Sequence, residues 1–219
     1  MAGKLQIGII GLGKFGFRFG KALVDLGHDV VGVDTDMDRV KMAQNIFTQV
    51  YQADAIEKQA LEQIGFADMT HALISVGESI AASAMISMYL KEMGVPSVWV
   101  KAINDDHRKL LLKIGVDRVI IPEYMAAKEF AHRLAVPGFI EYLPFDRSMA
   151  LKELTVKHWA GKTLKDLDLT NKYGIQVIAI KADGSRRRFR FIPRADIPLK
   201  EGQVLVALGK AEVLGQVKP

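Results

Sequence analysis

The chain predicts an α/β protein, a doubly wound parallel sheet followed by a small α+β domain, on three observations. An apolar run from Leu5 to Ile10 empties into Gly11-Leu12-Gly13-Lys14-Phe15-Gly16. An acid, Asp34, ends a second apolar run 18 positions past Gly16. Apolar strands then alternate with helical patterns to about residue 121, after which short strands with turn signals take over.

The first strand and its glycine loop carry the most chemistry. In a strand, Gly-x-Gly-x-x-Gly and helix, Gly11 permits the tight turn, Gly13 lets backbone N–H groups approach a pyrophosphate, and Gly16 lets the helix pack on the strand, the Rossmann-like fingerprint. The helix's unpaired N–H groups and positive dipole end favour an anion there. Phe15, Phe19, Ala22, Leu23 and Leu26 recur at helical spacing up to Gly27, and residues 29–33 form the second strand. Asp34 then stands where an acid reaches the ribose hydroxyls of a bound adenosine. A 2′-phosphate would meet it with a repulsion of about 4 kcal/mol at contact distance, so NADP is disfavoured.

The alternation continues. Residues 48–51 are the third strand, followed by Ala53-Asp54-Ala55 and a helix using Ile56, Ala60, Leu61 and Ile64 up to Gly65. Residues 71–76 are the fourth, opening on Gly77 and a long helix through Met85, Ile86, Met88, Tyr89 and Leu90 that Gly94-Val95-Pro96 stops. Residues 97–101 are the fifth, with a helix carrying Leu110, Leu111 and Ile114, and residues 118–121 the sixth, ended by Pro122. Ligands of such sheets bind outside the C-terminal strand ends. That gathers residues 11–16, Asp34, Asp54, residues 75–78 and Lys101 around one crevice. Asp54 is equally a helix N-cap, and Lys101 equally a solvated strand-end lysine.

One more helix runs from Glu123 to Ala135, and Val136-Pro137-Gly138 breaks the pattern, dividing the chain into domains 1–137 and 138–219. The second domain reads as strands at 140–143, 151–156, 177–181 and 204–208, with short helices near 164–167 and at the C-terminus. Asp183-Gly184 supplies a hairpin turn into an arginine strand. There Arg186, Arg188 and Arg190 alternate with Phe189 and Phe191, either an edge guarded against aggregation or a docking face for an anion.

Composition sets bounds. With 219 residues, 49% of them hydrophobic, a real core is available, and neither a membrane-spanning run nor a signal peptide is present, so a soluble protein is expected. No cysteine is present, excluding disulfides and thiolate metal sites. The net charge of +5 is local: residues 185–194 hold five arginines and no acid, leaving 25 basic against 25 acidic residues elsewhere. That distribution does not describe a nucleic-acid-binding surface.

The fingerprint's default reading is a dehydrogenase, and a catalytic constellation is the test. Tyr124 and Lys128 have Tyr-x-x-x-Lys spacing, but no serine stands a dozen residues upstream and the glycine loop has the wrong spacing for short-chain reductases. The histidines, His28, His71, His107, His132 and His158, are scattered and read as surface or helix-end residues. The result is a nucleotide site without an enzyme around it. Lys14 adds a cation where a terminal phosphate could lie, suiting ATP or ADP, or is a solvated loop lysine. Glu123 is a hard carboxylate that could reach an accompanying divalent cation, Mg or Ca.

Together these residues resemble the RCK (KTN) proteins, the cytosolic regulatory subunits of bacterial Ktr and Trk potassium transporters. Residues 9–16, Val33-Asp34, Ala53-Asp54-Ala55, Trp99-Val100-Lys101-Ala102 and Ile121-Pro122-Glu123 follow that family's order and spacing, and residues 164–167, 172–174 and 178–180 look like its C-terminal, TrkA-C regulatory domain. The single two-domain unit is most similar to the Ktr type. The resemblance implies a homo-oligomeric ring, an octamer, docked on a membrane-embedded potassium-translocating subunit at the inner face of the cell membrane. It implies ATP or ADP held by Gly11, Gly13, Lys14, Phe15, Gly16, Asp34, Asp54, Ala55 and Lys101, with Glu123 as divalent-cation ligand. The helix from Glu123 would cross over to a neighbouring protomer. Some relatives bind cyclic di-AMP in the C-terminal domain; here Thr170 stands where several of those carry an arginine. Lys14 likewise replaces a common arginine. The alternative is an NAD(H)-binding redox sensor or a small NAD-dependent oxidoreductase.

Overall fold

A computed structural model describes residues 3–76, 79–135, 138–143, 146–181 and 189–219. The chain forms two compact units, Met1–Glu123 and Tyr124–Pro219.

In the first unit the strands are β1 (Gln6–Ile10), β2 (Asp29–Asp34), β3 (Gln49–Gln52), β4 (His71–Ile74), β5 (Ser97–Lys101) and β6 (Arg118–Ile120). They form one parallel sheet in the order β3-β2-β1-β4-β5-β6, the doubly wound topology, with the order reversing at β1. Ile7, Ile9 and Ile10 are all buried, because helices cover both faces of a parallel sheet. One face packs Leu61, Phe66, Ile74, Ile86, Leu90 and Leu111, the other Ile9, Leu12, Val30, Phe47 and Leu73. The helices are α1 (Lys14–Asp25), α2 (Met37–Gln44), α3 (Lys58–Ile64), α4 (Ile80–Glu92) and α5 (Asp105–Ile114).

Some details of this unit depart from the sequence reading. Helix α2 was not anticipated, and it begins where the Asp36 carboxylate accepts the Asp38 and Arg39 N–H groups. Ile56 precedes α3 rather than lying in it. Among the histidines, His107 is at a helix end but buried, 2% exposed. Its Nδ1 accepts the Ile103 N–H at 3.4 Å and its Nε2 lies 2.8 Å from the Ser83 hydroxyl, while Ser83 donates to the Ile80 carbonyl. Burial holds its pKa below the ordinary value, favouring the neutral ring.

The second unit carries most of helix α6 (Pro122–Ala135), then β7 (Phe139–Leu143), β8 (Asp146–Thr155), β9 (Gln176–Lys181), β10 (Phe189–Phe191) and β11 (Val204–Lys210) in an antiparallel sheet ordered β10-β9-β11-β8-β7. Short helices α7 (Leu164–Leu167), α8 (Leu169–Tyr173) and α9 (Ala211–Gln216) accompany it. Its core gathers Leu154, Val156, Ile175, Leu205, Ala207 and Leu214. Thr163 and Asp166 close a reciprocal capping box on α7. Strand β10 is an edge, with Arg190 exposed. Gly77, Glu78, Val136, Pro137, the Asp183-Gly184 turn and Arg186 to Arg188 lie outside the described residues. Helix α6 buries none of its residues and exposes Tyr124, Met125, Phe130 and Leu134. Among the described residues no helix is long and apolar enough to cross a membrane.

Candidate nucleotide-binding site

The site is built where β1 hands over to α1. The Gly11 N–H donates to the Val33 carbonyl at 2.8 Å and the Ser75 N–H to the Ile10 carbonyl at 2.7 Å, so the ends of β1, β2 and β4 are stitched together around the loop. Gly11 turns at φ +91°, and a Cβ there would collide with the Ser75 carbonyl. At Gly16 a Cβ would strike the carbonyl oxygen of Gly11. Packing within the chain therefore demands these two glycines.

Gly13 differs. It is the N-cap of α1 at φ −66°, its Cβ position has no atom within 4 Å, and no side chain caps the helix. The first-turn N–H groups thus keep the open, electropositive end that suits a phosphate. Gly13→Ala is expected to cost less than about 1 kcal/mol of stability yet, if a nucleotide phosphate sits at this helix end, to weaken nucleotide binding about tenfold, roughly 1.4 kcal/mol, through the methyl group it would set beside that phosphate. Calorimetric titration together with a thermal melt checks both halves.

Asp34, 6% exposed, has backbone duties in addition to the ribose role expected of it. Its Oδ2 accepts the Leu12 N–H at 2.6 Å, inside the glycine loop, and its Oδ1 accepts the Asp36 N–H at 2.9 Å. Arg39 Nη1 lies 3.4 Å from Oδ2. The acid therefore clamps the loop to the end of β2.

Asp54 is not the N-cap of α3, a place Glu57 takes. Its carboxylate instead accepts the Ile56 N–H at 3.0 Å, in a turn that follows β3.

A cavity of about 340 Å³ opens at these strand ends, and Gly11, Asp34, Asp54 and Ala55 line it together with Arg39 and Ser75. Gly13, Lys14, Phe15, Gly16, Lys101 and Glu123 are not on its wall. Lys14 is exposed on the first turn of α1, and Phe15 packs its ring 5.8 Å from that of Phe19. Lys101, at the end of β5, pairs with Glu123 at 2.7 Å. The lysine's hydrogen bond holds the Glu123 carboxyl below the usual carboxylate range. Among the described residues no cluster of three or more His, Asp or Glu side chains is placed to hold a metal ion.

Arg39 is the side chain that sequence reasoning missed. Its signal is its position five residues past Asp34, legible only once α2 is recognised.

Residues 7–122 match the TrkA-N domain family and residues 151–219 the TrkA-C domain family. The chain is 34% identical over 207 residues to the Ktr system potassium uptake protein C of Bacillus subtilis, covering 94% of this chain and 92% of that protein. To the Ktr system potassium uptake protein A of Vibrio alginolyticus it is 32% identical over 215 residues, 97% of this chain and 96% of the relative. Its fold is similar to that of the GsuK channel bound to NAD, with a TM-score of 0.53 at 18% identity, spanning 97% of this chain and 38% of the channel's.

Proposed function

Because the chain belongs to the family that joins a TrkA-N domain to a TrkA-C domain, we propose that it is a nucleotide-binding regulatory subunit of a potassium uptake system. The cavity bounded by Gly11, Asp34 and Asp54 is the observation that carries the nucleotide half of this reading. The transport half rests on similarity to Ktr proteins along nearly the whole chain.

In this reading ATP and ADP exchange in the cleft. Asp34 and Asp54 hold the ribose and base side, the N-terminus of α1 with Gly13 receives phosphate, and Lys14 and Lys101 meet the outer phosphates. Glu123 takes the accompanying divalent cation once it parts from Lys101. ATP and ADP differ at one phosphate, and a nucleotide binding both conformations equally would shift nothing, so regulation requires each to prefer a different one. Residues 1–137 act as the nucleotide domain and 138–219 as a regulatory domain. Helix α6 crosses over to a second copy, in a homo-oligomeric ring, an octamer, docked on a membrane-embedded potassium-translocating subunit. No catalysis is assigned. For the C-terminal domain the reading allows cyclic di-AMP, with Thr170, whose hydroxyl donates to the Ile175 carbonyl at 3.2 Å, in the place of an arginine.

The alternative, an NAD(H) sensor or oxidoreductase, draws on the same loop and acid. Calorimetric titration with ATP, ADP and NADH, with and without magnesium, separates the two. Binding of ATP and ADP in preference to NADH is the expected result. Binding of NADH alone, or turnover of nicotinamide with a simple carbonyl, would overturn the proposal.

A further inference from the structure

Among the described residues, the cavity at the strand ends carries three charged side chains on its wall: the carboxylates of Asp34 and Asp54 and the guanidinium of Arg39. Arg39 lies in the first turn of α2, with Nη1 3.4 Å from Asp34 Oδ2 and Nε 3.5 Å from Asp36 Oδ2. Its side chain is 49% exposed, so these ion pairs are screened and readily broken.

The acceptor count at Asp34 then matters. A carboxylate oxygen takes about two donors. Oδ2 already has the Leu12 N–H and Arg39, whereas among the described residues Oδ1 has the Asp36 N–H alone. A ribose hydroxyl therefore finds room on Oδ1, but a second one reaching Oδ2 must displace Arg39. The displaced guanidinium remains tethered by α2 at the same cavity wall, to which Ala55 and Ile56 also contribute. A planar cation over an apolar floor suits the face of a purine ring.

We propose that Arg39 is the base-recognition residue of this site: it yields Asp34 to the ribose and lays its guanidinium plane on the adenine. The inference rests on the nucleotide reading above and deepens it. Arg39 acts on the adenosine half, which ATP, ADP and AMP share, so its contribution is the same for all three. Lys14, proposed at the outer phosphates, would instead discriminate among them.

The test is calorimetric titration of the full chain with ATP, ADP and AMP, comparing the unchanged protein with Arg39→Ala and Arg39→Lys. Arg39→Ala is expected to weaken all three about tenfold and by a common factor. Arg39→Lys keeps the charge without the plane and recovers only part of that loss. A thermal melt close to that of the unchanged protein shows that the effect is on binding. Affinities within twofold of the unchanged protein would overturn the proposal, as would a loss that grows with the number of phosphates. If the unchanged protein binds none of the three, the nucleotide reading itself fails and this inference falls with it; binding that survives Arg39→Ala removes the inference alone.

Discussion

Replacing Asp34 with asparagine is expected to weaken adenine-nucleotide binding by about 100-fold, the loss of roughly 2.7 kcal/mol. The carboxylate is buried, and on the function proposed above each hydrogen bond it would accept from a ribose hydroxyl is charge-assisted, contributing about 1.5–3 kcal/mol. Alanine is the harsher change and the poorer experiment. It leaves the Leu12 and Asp36 N–H groups without their partner, at about 1–3 kcal/mol for each that stays buried, so the loop itself loosens. Asparagine keeps the side chain's shape and one acceptor oxygen, so only one of the two N–H groups loses its partner to the amide nitrogen. Titration with ATP beside a denaturant melt separates lost binding from lost stability. Affinity retained within threefold would remove Asp34 from the ribose site.

The second large effect is on assembly. Helix α6 buries nothing, while Phe130 is 64% and Leu134 89% exposed, four positions apart on one face. Covering these side chains with a second copy of the helix would contribute about 1.5–3 kcal/mol for each one fully buried, on both protomers. On the ring proposed above, the double change Phe130→Ser with Leu134→Ser is therefore expected to convert the oligomer to monomers, as sedimentation velocity would report. Its fold should survive, since neither side chain belongs to a buried core. An unchanged mass for the variant, or a monomeric starting protein, would contradict the crossover role of α6.

The parallel sheet was legible because its strands are continuous apolar runs cut by glycines at helix ends, as at Gly65 and Gly115, which take φ +87° and +93°. Helix α2 was not, because its eight residues turn only Val40 and Ala43 inward, too few to set up a period. Helix α8 is shorter still and follows Asp168 in a left-handed conformation that a non-glycine residue seldom announces. At the site, the glycine loop and Asp34 could be read because both obey fixed spacings. Which atoms Asp34 holds could not, since Leu12 and Arg39 reach it from opposite directions along the chain. Asp54 illustrates the same limit: an N-cap and a turn-forming aspartate have the same local sequence, and only the start of α3 at Lys58 decides between them. Strand β8 begins at Asp146 rather than Leu151, because its ladder with β11 reaches back to Met149 and its pairing with β7 carries it on to Asp146.

The ion pair between Lys101 and Glu123 leads to one more result. Lys101 cannot neutralise a phosphate and a glutamate fully at the same time, and Glu123 cannot serve a metal fully while holding a lysine. On the function proposed above, a divalent ion arriving at Glu123 would release the lysine toward the nucleotide, and a terminal phosphate drawing on Lys101 would bare the glutamate for the ion. Metal and nucleotide would then be mutual effectors, and thermodynamic reciprocity makes the enhancement the same factor in both directions. A resting salt bridge of this kind would make the two ligands arrive as a pair.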